Sequence, residues 1–157
     1  MRFLQSLGVA ALMAAASIQA VALDYATAES VVSLMEALAE DTQLRMSTGS
    51  GPEFFDYDAF DGERIPAAGF TEDSWIVAYD AVASAYLATI PLAEFEAKLS
   101  EPLDRLEASG LPEDQKQFMR DHMASIIDGA KAERERGMAD AATVGPLVPR
   151  LRRLFGE

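Results

Sequence analysis

The chain has 157 residues, half of them hydrophobic, with no cysteine, one histidine and a formal net charge of −13. Without cysteine there can be no disulfide, zinc–thiolate site or thiol nucleophile, and so acidic a chain repels nucleic-acid phosphate and anionic lipid. The apolar share is enough for one real core rather than a disordered tail.

Residues 1–22 carry the three parts of a secretory leader in order. Met1-Arg2 is a short positive start, Leu7 to Ala16 is an uncharged apolar run, and Ala20-Val21-Ala22 is a small-x-small cleavage pattern. The run is shorter than the roughly 20 residues that a membrane-spanning helix needs. The expectation is a cleavable signal peptide over 1–22, cut after Ala22, and a single helical domain over 23–157. Arg2 is the one charged residue of the leader, so cleavage leaves the mature chain one unit more acidic. No cysteine follows the apolar run, which excludes a lipid anchor, and no paired arginine precedes it. A periplasmic or secreted location is expected.

Val31, Leu34, Met35 and Leu38 recur at i, i+3, i+4 and i+7 and predict a first helix from about Ala28 to Met46, with Thr27 as its cap. Ser47-Thr48-Gly49-Ser50-Gly51-Pro52 ends it. From Pro52 to Phe70 no helical period is visible. There Phe54, Phe55, Tyr57 and Phe60 alternate with Asp56, Asp58, Asp61 and Glu63, and the segment reads as a long, irregular acidic-aromatic loop.

Thr71-Glu72-Asp73 opens the next helix as a cap followed by acids. Trp75, Ile76, Tyr79, Val82, Ala83, Tyr86, Leu87 and Ile90 then cover a wide arc, with Asp80 the only charge between Asp73 and Glu94. A helix apolar on nearly all sides belongs in the centre of a helical body or in a membrane. Asp80 near its middle, at a cost of about 2.5–3.5 kcal/mol in a bilayer, favours the centre.

Leu92, Phe95, Leu99, Leu103 and Leu106 mark a third helix, with a kink or break expected at Ser100 because Pro102 cannot donate to the Lys98 carbonyl. Leu111-Pro112-Glu113-Asp114 opens a fourth, whose stripe is Phe118, Met119, Met123, Ile126, Ile127 and Ala130. Its end, Lys131 to Arg136, is mixed in charge, and Gly137 stops it. After a weakly patterned stretch, Pro146 begins a short last helix, apolar at Leu147, Val148, Leu151, Leu154 and Phe155 and basic at Arg150, Arg152 and Arg153. The fold class expected is all-α: a single-domain bundle or orthogonal array of four to five helices with one long irregular acidic-aromatic loop.

No catalytic motif stands out. Counted from Asp56, a calcium loop would need a ligand at Phe60 and glutamate at Ala67, so the register fails. His122 alone builds no zinc site and no serine triad, and reads as a boundary-packing residue. Asp80 has the setting of a general acid but lacks a second positioned group, and reads as a seam residue. The three C-terminal arginines read as docking onto the acidic body of their own chain.

The function expected is a periplasmic helical binding or inhibitor-type module that recognises a basic envelope protein. Its contact residues would be Phe54, Phe55, Asp56, Tyr57, Asp58, Phe60, Asp61 and Glu63. An envelope glycan hydrolase using two of the loop carboxylates is a second reading, and a structural or chaperone-like helical protein a third. Enzymatic activity is the less expected outcome. No cofactor, no metal, no nucleic-acid partner and no stable membrane insertion after cleavage are expected.

Overall fold

The computed structural model describes residues 23–42 and 46–156, and the leader expected over 1–22 lies outside them. The described chain is all-α, without a β-strand. In order, α1 is Tyr25–Thr42, α2 Gly51–Asp61, α3 Arg64–Ala67, α4 Glu72–Thr89, α5 Leu92–Glu107, α6 Glu113–Gly137, α7 Ala141–Val144 and α8 Val148–Leu154, with a 3-10 turn at Gly145–Leu147. Five of these helices have eleven residues or more; of the short ones, α8 falls where a short last helix was expected, and α3 and α7 fill connections.

α4 is the centre, as its near-uniform apolar surface implies. Thr71 caps it: the Ser74 amide donates to the Thr71 hydroxyl at 3.3 Å, and the Thr71 amide donates to the Ser74 hydroxyl at 2.8 Å. Trp75, Tyr79, Val82, Ala83 and Tyr86 are buried, with α1, α2, α6, α7 and α8 packed around them. The polar tips of the large rings are satisfied. Trp75 Nε1 donates to the Gly51 carbonyl at 2.8 Å, and the Tyr79 hydroxyl donates to the Ser47 carbonyl at 2.9 Å. Phe70 meets Trp75 edge-on at 5.9 Å and Phe155 stacks on Tyr86 at 5.0 Å.

α1 starts earlier than its spacing implied, and Asp24 rather than Thr27 is the cap. The Asp24 carboxylate accepts from the Thr27 amide and hydroxyl, each at 2.8 Å, and these bonds hold its carboxyl below the usual range. The inward face is Ala28, Val31, Val32, Met35 and Leu38.

The segment 52–70 is not the irregular loop that was expected; it folds as α2, a tight turn and α3. Pro52 lies in the first turn of α2, where its missing N–H costs nothing. The inward positions are Gly51, Phe54 and Asp58, at i, i+3 and i+7. The last of these is a carboxylate, which hides the helical period. The Asp58 side chain accepts from the Ile65 amide at 2.7 Å, while its main-chain carbonyl accepts from Gly62 and Glu63 at 3.0 and 2.9 Å. Asp58 thus fastens the α2–α3 turn from inside.

Pro102 does not break α5, which runs on to Glu107. The Ser100 hydroxyl donates to the Ala97 carbonyl at 3.0 Å in the turn just before it. α4 and α5 meet at 102° across Ile90 and Pro91, and among the described residues no single helix is long and apolar enough to cross a membrane. The corner is pinned by Arg134 of α6, which donates to the Ile90 carbonyl at 2.9 Å and lies 5.4 Å over the Phe95 ring.

α6 meets α4 at its C-terminal end. Gly137 touches the α4 backbone, and a Cβ added there would fall 1.9 Å from the Ser84 carbonyl oxygen. The earlier turns of α6 run antiparallel to α5, with Met123, Ile126 and Ile127 facing Leu99 and Pro102, so that the two form a hairpin arm. Its tip is tied by Arg120, which pairs with Glu107 at 2.7 Å and with Glu113, and by Lys116, which donates to the Glu107 carbonyl at 2.7 Å. At the other end of the chain α8 docks on α1. Arg150 forms a two-pronged contact with Glu36, at 3.0 and 2.6 Å, and reaches Ser33 at 2.9 Å.

Candidate functional surfaces

Helix formation in 51–67 divides the eight residues expected to bind a partner. Phe54 is buried, with its ring 6.1 Å from that of Tyr79, and Asp58 is buried in the turn it holds. Phe55 and Tyr57 are half-buried against the same core. Asp56, Phe60 and Glu63 face solvent, Phe60 at 93% exposure, and Asp61 is the last residue of α2. Glu63 takes a left-handed backbone at φ 49°, which reverses the chain between α2 and α3. What remains open is one aromatic ring on an acidic helical edge with Glu53, Asp56 and Glu63 nearby in sequence. Phe54 and Asp58 serve the fold.

Asp58 is enclosed in the turn, whereas Asp56 and Glu63 are exposed. Among the described residues, no group of three or more histidine or acidic side chains is arranged to hold a metal ion.

A second cluster lies at the α4–α6 contact. Asp80, Ser84, Glu133, Arg136 and Asp140 surround a cavity of about 220 Å³, floored by Gly137 and Ala81. The Ser84 hydroxyl donates to Glu133 at 2.7 Å, and Glu133 pairs with Arg136. Burial, and then the charge of Glu133, push the Asp80 carboxyl above its ordinary range, against the opposing pull of the Gly49 amide and Arg136. Asp80 Oδ1 is enclosed without a hydrogen-bond partner. Sugar and drug-sized ligands occupy pockets of about 300–1,000 Å³. This one is smaller, and its serine donates to a glutamate, with no histidine among the described lining residues.

The third surface was visible in the sequence only as a core stripe. On α6 the stripe Phe118, Met119, Met123, Ile126, Ile127 and Ala130 was expected to be buried. Instead Phe118 is 76% exposed and Ile126 58% exposed, with Met119 also open. Met123, Ile126 and Ile127 face Leu99 and Pro102 of α5 across a gap of about 200 Å³ that, among the described residues, only these two helices line. His122, expected at a packed boundary, stands exposed on the same arm. Among the described residues, α5 and α6 side chains alone line the gaps along this part of the arm.

Compared with protein-family models, with curated proteins and with solved structures, the chain matches none.

Proposed function

We propose that the protein is an exported, non-catalytic binding module whose α5–α6 arm is its docking surface, with the acidic edge around Phe60 favouring a basic protein partner. The observation that carries the reading is the apolar face of the arm. Phe118, Met119 and Ile126 are large, exposed and neighbours on one helix, with half-buried Met123 and Ile127 beside them. Contiguous apolar surface of this kind marks interaction sites, whereas single exposed rings are ordinary. By that standard Phe60 alone is weak, and its role is to add a ring to a negative edge. The net charge of −13 supports a basic partner through steering and selectivity.

Hydrolysis of glycans finds less support. Loop carboxylates would have to face each other about 5–9.5 Å apart across a cleft, and Asp56, Asp58 and Glu63 are spread between a helix surface and a buried turn.

The test is a comparison of the mature protein with Phe118→Ser/Ile126→Ser and with Phe60→Ser/Asp56→Asn, by cross-linking in envelope extract. Circular dichroism serves as the control for folding. Loss of the cross-linked species in the arm variant, and its weakening in the second, are expected. A species captured equally by all three folded proteins would overturn the assignment of the arm.

A further inference from the structure

The junction between the expected leader and the folded chain coincides with a specific contact. Leu23, the residue that a cut after Ala22 makes the first, is seated in the core at 8% exposure. Its backbone nitrogen donates to Asp140 Oδ1 at 3.2 Å, a contact between positions 117 residues apart. Asp140 is held in turn, because its amide donates to the Gly137 carbonyl at 3.1 Å and its own carbonyl receives Thr143 and Val144 at the start of α7. That carboxylate borders the cavity that also holds Asp80 and Glu133, where, among the described lining residues, the one cation, Arg136, is paired with Glu133. Asp80 Oδ1 lacks a partner there. The corner is short of positive charge.

We propose that removal of the leader completes the fold: the α-ammonium created on Leu23 forms an ion pair with Asp140 and locks the start of α1 to the α6–α7 junction. Hydrolysis of the Ala22–Leu23 peptide bond by a leader peptidase consumes one water and leaves a carboxylate on Ala22 and an ammonium on Leu23. The neutral amide donor that reaches Asp140 thereby becomes a charged one, and charge-assisted bonds are roughly twice as strong as neutral ones. The register is narrow. A cut one residue later removes the Leu23 side chain from the core, and a cut one residue earlier moves the charge a residue away from Asp140. The inference rests on the export reading for the cut itself, whereas the pairing depends only on where the ammonium stands.

Asp140 from the α6–α7 junction receives the Leu23 nitrogen, Asp24 from α1 and Asp73 from α4 line a cavity with Leu23, and Asp80 from α4 with Glu133 and Arg136 from α6 line the neighbouring cavity on the Asp140 side. Asp24 is occupied by Thr27. An α-amine titrates ordinarily at about 7.7–8.0. Pairing raises that value in the folded chain, so the stabilisation is full below the unfolded value and is lost as pH rises through the folded one.

Four proteins make the test: the chain beginning at Leu23 and the same chain with Val21-Ala22 retained in front, each with Asp140 and with Asp140→Asn. NMR titration of the α-amine and melting temperature against pH are the readouts. The expected results are an amine titrating above its ordinary range only in the Leu23-first protein with Asp140, and a higher melting temperature for that protein near neutral pH. The advantage should disappear at alkaline pH and in Asp140→Asn. An amine titrating at its ordinary value, or a melting difference that Asp140→Asn leaves intact, would overturn the ion pair. N-terminal sequencing of the protein from the envelope fraction tests the cut separately. Leu23 as first residue is expected, and any other first residue overturns the processing step while leaving the NMR result to decide the pairing.

Discussion

Gly137 shows how much a single missing carbon can decide. Its Cα sits against the Ser84 carbonyl so closely that a methyl group has no room, and the obstacle is backbone, which cannot swing aside. Gly137→Ala must push the end of α6 away from α4, and overpacking of this kind costs about 1–3 kcal/mol or more. Gly129 lies in the same helix with open space where its Cβ would be. Gly129→Ala should therefore gain about 0.5–1 kcal/mol from reduced backbone freedom in the unfolded chain. Urea unfolding of the two variants is expected to move in opposite directions from the parent. If both were neutral, the close approach of α6 to α4 would be wrong. At this scale the sequence is an uneven guide. Asp58 looks like one acid among several until its carboxylate is seen accepting the Ile65 amide, and Asp24 looks like a linker residue until it caps α1.

Elements were legible where side chains faced a core on one consistent stripe. The arc of Trp75, Tyr79, Val82 and Tyr86 located α4 and its central place, and the Thr71 cap fixed where it begins. α2 was missed because one of its inward positions is a carboxylate, and α3 because four residues are too few to show a period. Pro102 leaves α5 unbroken, because a proline removes one hydrogen bond and in this exposed helix the remaining bonds tolerate that loss. The docking of α8 on α1 offers a test at this level. Arg150, by its hydrogen bond first and its charge second, holds the Glu36 carboxyl below its ordinary range. The stability this pair contributes is present above the unfolded value of about 4.3 and is lost as pH falls through the lower folded value. Both side chains are partly exposed, so Glu36→Gln should cost only about 0.5–1 kcal/mol at neutral pH. Thermal melts of parent and variant are expected to converge in acid. A difference that persisted unchanged there would show that the contact works through packing rather than charge.

For the whole molecule, the all-α class was readable from apolar spacing, but the distribution of exposed surface was not. Stripes on α5 and α6 look alike whether they bury against a central helix or only against each other. What separates the cases is burial, which takes the α4 rings inside and leaves Phe118 and Ile126 exposed beside α5. Periodicity states which face is apolar and is silent on what meets it. The acidic-aromatic segment fails in the complementary way: composition drew attention to it, and packing then took Phe54 and Asp58 for the interior.

Arg134 at the root and Arg120 at the tip give each helix of the arm attachments that do not depend on the connecting peptide. A protease nick at the exposed Gly110 would thus create a two-piece protein rather than a broken one. The fragments should co-elute on gel filtration and part only in denaturant. Separation in plain buffer would mean that the turn, and not the arginines, keeps the two helices of this lever side by side.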